Sequence, residues 1–317
     1  MAFYKTRLQN RIASSRYALP GTAAIIATVW IGVALGLGQN IWAELVGTAI
    51  ATLLMVELNN TNVLMRTYSR MVSCSFLVLF TMFSLPSPSA SAILTSIAFI
   101  ACYLLIWACY QQHDSQGRTF YGFACIGLAS LAFIQVGYLV PLLWFILGAF
   151  ANAMNVRSFC ASLLGLAVPY WFAAVVCFIT GHTDWLISHL SSFIDYQPLW
   201  HYGQITVKQL VNLSFITLLA IVGTVHFMRN SSGDKIRTRK VYESFILANT
   251  YTFVCLILQP QHYDQLTAVL IVNTAPLIAH FITYTRTFLT NIFFMLMLAG
   301  VALITLLNIF LPTHTLL

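Results

Sequence analysis

A histidine two residues ahead of an aspartate occurs twice in this chain, as His182-Thr183-Asp184 in "GHTDW" and as His262-Tyr263-Asp264 in "QHYDQ". Imidazole and carboxylate are the side chains that hold a divalent ion or pass a proton near neutral pH. These four residues are the candidate metal ligands, for a divalent cofactor bound where the two stretches meet in space. The first of them opens "TGHTDWLISHLSSFIDYQPLWHYGQ", which collects three histidines and two aspartates without a lysine or arginine. Asp184 and Asp195 are candidate bases there, and His189 and His201 candidate phosphate-binding groups. Glu44, in "QNIWAELVG", and Lys208, in "ITVKQL", add a carboxylate and an ammonium inside apolar runs, where lipid cannot solvate them and a partner or cavity is expected. Either they pair with each other, or Glu44 is a base beside a Lys208 that steadies a phosphate. A solvated surface accounts for the same outer residues without any chemistry.

What must position these groups is a membrane. The 317 residues are 59% hydrophobic and 7% charged, whereas a soluble domain carries roughly 25% charged residues. Apolar runs of the length that crosses hydrocarbon, about 20 residues, recur throughout. The expected fold class is all-α, a polytopic transmembrane helical bundle forming a single integral membrane domain over residues 1–317. Eleven spans are expected, near 19–38, 41–57, 71–85, 90–110, 119–136, 138–151, 159–179, 205–228, 243–259, 266–284 and 289–311. Gly137 and Pro141 interrupt the fifth and sixth, which read as two short crossings or as a re-entrant hairpin.

Basic residues resist translocation, so their loops mark the cytoplasmic side. With eleven spans, every lysine and arginine except Lys208 falls on alternate loops. That places the N-terminus in the cytoplasm and the opening stretch outside. The net charge of +7 then meets anionic lipid rather than nucleic acid. The loop "RNSSGDKIRTRK", Arg229 to Lys240, reads as a flexible basic connector. All seven cysteines lie within or at the ends of spans and are expected as packing residues rather than disulfides. If 184–196 is helical, Asp184, Ser188, Ser191, Ser192 and Asp195 share one face, and Leu186, Leu190, Phe193 and Ile194 the other. Trp185 and His189 lie on a flank. This predicts an amphipathic helix lying in the outer interface. Gln135, Asn273 and His280, with the kink at Pro276, are the candidates for a polar path through the bundle, although His226 and His280 also suit hydrogen-bonded core positions.

The run from Gly117, Arg118 and Phe120 through Gly127-Leu128-Ala129-Ser130-Leu131, Pro141 and Trp144 to Arg157-Ser158, Gly165 and Pro169-Tyr170 resembles an uncharacterised family of bacterial multi-span inner-membrane proteins. That resemblance carries no activity with it. In architecture the chain is also similar to multi-span glycosyltransferases that use lipid-phosphate sugars. This similarity implies an outward-facing enzyme of lipid-linked glycan or envelope assembly, with Glu44, Asp184 or Asp195 as base, Lys208 at a donor phosphate and a polyprenyl-phosphate-linked sugar as partner. Two alternatives stand beside it: a non-catalytic subunit bound to other envelope proteins, and a transporter or lipid flippase.

Overall fold

The computed structural model describes residues 7–37, 42–85, 89–194 and 205–310 and is helical over most of that length. Thirteen α-helices are described: α1 (Leu8–Ser14), α2 (Ala18–Leu37), α3 (Trp42–Asn62), α4 (Met71–Ser84), α5 (Ala90–Ala108), α6 (Gln116–Ala132), α7 (Val140–Phe145), α8 (Val156–Thr180), α9 (Thr183–Ser191), α10 (Val207–Asn230), α11 (Ile236–Leu258), α12 (Tyr263–Tyr284) and α13 (Phe288–Phe310). Eight of the described helical stretches are long and apolar enough to cross a membrane. The chain is a helical membrane protein. Met71–Ser84 and Ile134–Phe150 are apolar but shorter, at 1.5 Å of rise per residue.

Three local expectations change. The sixth expected span is not one regular helix. It runs as a 3-10 turn at Ile134–Leu139, then α7, then a π segment at Ile146–Phe150, with Pro141 in the first turn of α7, where its missing N–H costs nothing. The connector Arg229–Lys240 is not a free loop, because a 3-10 turn covers Ser231–Gly233, Asp234 is buried, and α11 already begins at Ile236. The amphipathic helix expected over 184–196 is α9, which ends at Ser191. Asp195 and Tyr196 lie outside the described residues.

The chain divides into two compact units, 1–90 with 203–249 and 270–317, and 91–202 with 250–269. In the first, α4 packs against α2, α3 and α13 and is buried along nearly its whole length. Small and polar residues let its helices approach. Gly223 of α10 lies against Leu277 of α12, where an added Cβ would stand 2.8 Å from the Leu277 carbonyl carbon. The buried Asn308 amide donates to Asn212 Oδ1 at 3.0 Å and to the Met82 carbonyl at 3.1 Å, tying α13 to α10 and α4. Bonds of this kind hold helices together where burial from water cannot.

In the second unit α6 and α8 form a parallel pair fitted through two glycines. A Cβ on Gly127 would come within 2.9 Å of the Leu166 carbonyl, and one on Gly165 would collide with the Phe120 carbonyl. Asn155 caps α8 by accepting from Ser158 N at 2.7 Å, and Gly181 ends it in the left-handed conformation at φ 74°. The turn after α9 is fastened to the 134–139 segment. Gln135 Nε2 donates to the Ser192 carbonyl at 3.1 Å, Tyr138 Oη to the Phe193 carbonyl at 2.9 Å, and the Phe193 ring covers Gly137. All seven cysteines are free.

Candidate functional site

The densest chemistry in the chain sits at one end of the first unit, where α3, α10, α11 and α12 meet their loops. The Asp234 side chain is 0% exposed and lies between two cations or potential cations. Arg66 Nε donates to Oδ1 at 2.5 Å, and His280 Nε2 lies 3.3 Å from Oδ2. His280 is itself 0% exposed, whereas Arg66 is 40% exposed. Burial alone would raise the Asp234 carboxyl, but the hydrogen bonds from His280 and Arg66 outweigh it and hold it below its usual 3.8.

Aromatic rings wall the imidazole. Tyr284, Tyr242 and Phe227 stand 4.6, 5.1 and 5.4 Å from His280, ring centre to ring centre. Arg66 lies over the Tyr284 face at 4.8 Å, and its backbone N–H donates to Tyr284 Oη. The 62–70 loop is fixed from the other side as well. Arg237 donates to Asn62 Oδ1 at 3.0 Å, Thr238 Oγ1 to the Val63 carbonyl at 3.3 Å, and Tyr242 Oη to the Leu64 carbonyl at 3.4 Å. Val63 is held at φ 48°, a strained conformation for a β-branched residue that survives only where its surroundings dictate it.

The tautomers follow from the partners. His226 Nδ1 lies 3.1 Å from the Asn230 amide nitrogen, so it accepts, and in the neutral ring the proton is on Nε2. His280 faces a carboxylate with Nε2, so its proton is there and Nδ1 carries a lone pair. His226 Nε2 and His280 Nδ1 are the two nitrogens left over, both buried and both without a partner among the described residues. The rings are 5.4 Å apart. A donor and an acceptor thus stand in adjacent rings, and a carboxylate lies at the far nitrogen of the second.

No protein-family model, no curated protein and no solved structure matches this chain. Its chemistry is read from the residues alone.

Of the residues singled out in the sequence, His280 is in this cluster. Asn273 is on the same helix, fully buried, and its neighbour Thr274 pairs with Asn249 of α11 at 3.2 Å. Gln135 serves instead as the tie to Ser192 already described. Lys208 does not pair with Glu44. Its ammonium donates to the Asn308 carbonyl at 2.8 Å, at the orphaned C-terminal end of α13, where a cation is favoured. Glu44 keeps Oε2 buried with no hydrogen-bond partner among the described residues. Asp184 is exposed in the first turn of α9. His189 does not face solvent with both nitrogens, because Nε2 lies 3.0 Å from the Ser130 carbonyl near the end of α6, and its ring stacks on Trp185 at 5.1 Å.

The metal set is not assembled. Among the described residues no three His, Cys, Asp or Glu side chains are grouped to hold an ion. His182 is exposed, whereas His262 is buried, accepts from the Gln261 amide at 3.1 Å and packs edge-on to Phe133. His201 lies outside the described residues.

Sequence reasoning missed Asp234 and the role of Arg66. The available signal was a lone acid inside a basic loop, since "SSGDKIRTRK" has no other carboxylate and a single aspartate among cations needs a reason.

Proposed function

We propose that the chain is a membrane transporter that couples movement of a solute to protons through His226, His280 and Asp234. The observation that supports it is the pair of buried, unpartnered imidazole nitrogens, one a donor and one an acceptor, backed by a carboxylate whose charge Arg66 stabilises. Ionisable groups of this kind inside membrane proteins are the usual parts of proton relays. A proton taken up at His226 Nδ1 makes that ring an imidazolium, whose Nε2 proton passes to His280 Nδ1 as the Nε2 proton of His280 moves to Asp234, so that both rings end neutral. The Asn249–Thr274 pair, about 9 Å along α12 from His280 at 1.5 Å per residue, continues the polar path inward. With the arginine-rich loops on the cytoplasmic side, the relay opens at the inner face of a cytoplasmic membrane.

The test uses the purified full chain in liposomes loaded with a pH-sensitive dye, with amino acids, sugars, carboxylates and amines supplied outside one class at a time. At least one class should change the internal pH, and His280→Gln, which keeps a donor to Asp234 but cannot relay, should reduce that rate by more than about tenfold. Solute uptake that continues undiminished in His280→Gln, or a panel that moves no protons, would refute the reading.

A second reading, the outward-facing enzyme of lipid-linked glycan assembly, is supported by Glu44 alone, a carboxylate with one oxygen buried and unsatisfied. It expects Glu44→Gln to abolish a lipid-linked glycan product in membranes. Unaltered glycan in that variant removes it.

A further inference from the structure

The first unit contains a second feature that the relay does not use, a partly open cleft of about 250 Å³ among α1, α2, α4, α12 and α13. Its lining includes Ile25, Val78, Ile278, Phe294 and Met297, and its accessible surface is entirely apolar. Water has no partners in such a space, and an empty apolar void forfeits dispersion contacts on every wall. In a bilayer the available filling is a hydrocarbon chain.

The charge around the cleft is one-sided. Its mouth is set by α1, which is pinned by Gln9: the side-chain amide donates at 2.7 Å to both the Ile282 carbonyl and Thr285 Oγ1, and the backbone N–H to Asn291 Oδ1 at 3.3 Å. Ile12, one turn further on the same face, reaches the cleft. Beside it on α1 and in the turn to α2 stand Arg11 and Arg16, both exposed, with Arg7 ahead of them. Arg70 immediately precedes α4, whose first residue, Met71, lines the cleft, but its guanidinium is engaged elsewhere, donating to Asn60 Oδ1 at 3.1 Å and to Tyr68 Oη at 3.3 Å, while Arg286 lies in the turn leading into α13. The segments 1–43, 58–113 and 265–317, which supply the whole lining, contain no aspartate or glutamate.

We propose that this cleft is a binding site for an anionic phospholipid, one acyl chain occupying the apolar space and the phosphate headgroup resting at Arg11 and Arg16. The occupant is identified by chemistry on both sides: a hydrocarbon tail for the lining, and a negative head for a rim that holds cations without a competing acid. Gln9 keeps α1 in place as the outer wall. The site is independent of the transport reading, because none of His226, His280 and Asp234 lines it.

Native mass spectrometry of the purified full chain, equilibrated with equal amounts of phosphatidylglycerol and phosphatidylcholine of the same acyl composition and then stripped with detergent, tests this. Wild type should retain phosphatidylglycerol over phosphatidylcholine by at least about fivefold, the ratio that one additional favourable basic contact provides. Ser75→Phe and Met297→Trp fill the cleft from different helices, and each should lower retention of both lipids by at least about fivefold. Met297 is only half-buried, so that variant keeps the test decisive where Ser75→Phe does not fold. Arg11→Gln with Arg16→Gln should bring the two lipids close to parity. Equal retention of the two lipids by wild type, or undiminished phosphatidylglycerol in Met297→Trp, overturns the proposal.

Discussion

Asp234→Ala should lower the unfolding free energy of the protein in mixed micelles by about 3 kcal/mol, the largest loss expected from any single charge change in the chain. The substitution removes two charge-assisted hydrogen bonds and leaves His280 fully buried with neither nitrogen satisfied. A net value at the lower end for two such bonds is appropriate because Arg66 is 40% exposed and recovers water when its partner is gone. The pH dependence fixes the sign. The Asp234 carboxyl is held below its ordinary 3.8 in the folded state. A depressed carboxylate contributes fully above its unfolded value, and the contribution is lost as pH falls through the folded one. The gap between wild type and Asp234→Ala should therefore be constant from neutral pH to about pH 4 and close below it. Glu57→Gln, at an exposed carboxylate, should change stability by less than about 0.5 kcal/mol. Equal losses from Glu57→Gln and Asp234→Ala, or a gap that widens in acid, would contradict the role given to the cluster.

Gly165→Val should cost about 3 kcal/mol through a different cause, the approach of two backbones. A Cβ at Gly165 meets the Phe120 carbonyl, with Ala124 N at 3.1 Å and the Phe120 carbonyl carbon at 3.2 Å. None of these is the end of a side chain that could swing away, so α6 and α8 must separate. Separation in turn disturbs the reciprocal contact at Gly127 and loosens the Trp144 Nε1 bond to Ser162 Oγ at 2.9 Å. Gly117, on α6, has nothing within 4 Å of its missing Cβ. Gly117→Ala should accordingly stabilise the helix by up to about 1 kcal/mol. Thermal or denaturant unfolding of the two variants should shift in opposite directions, and a shared direction would mean that the glycines act through propensity rather than contact.

The helices were legible in the sequence because lipid imposes a simple rule: a run of apolar residues of sufficient length must be helical to satisfy its own backbone. The starts and stops of α2, α8, α12 and α13 lie close to the expected spans for that reason. The 134–150 segment was legible only as a difficulty, since Gly137 and Pro141 announce an interruption without saying which turn types will fill it. The functional cluster was much less visible. Arg66, His226, Asp234 and His280 come from four separate stretches of the chain, and no local period links them. His280 drew attention because an imidazole in an apolar run is costly. Asp234 did not, because an aspartate between arginines reads as ordinary solvated charge until its burial is known. Glu44 and Lys208 show the reverse error: opposite charges inside two apolar runs suggest a pair, but a lysine near a helix end finds a carbonyl instead.

The shortness of α4 has a consequence for how the protein is made. Fourteen residues, with Ser73, Ser75 and Thr81 all buried, reach only about 21 Å at 1.5 Å per residue, less than the hydrocarbon thickness of about 30 Å. Such a segment is a poor client for insertion by itself and depends on the neighbours that enclose it. Two of those, α2 and α3, emerge from the ribosome earlier, but α13 follows only after α5 to α12. A nascent chain therefore carries one face of α4 uncovered through the translation of all the helices between, and only the arrival of α13 closes it.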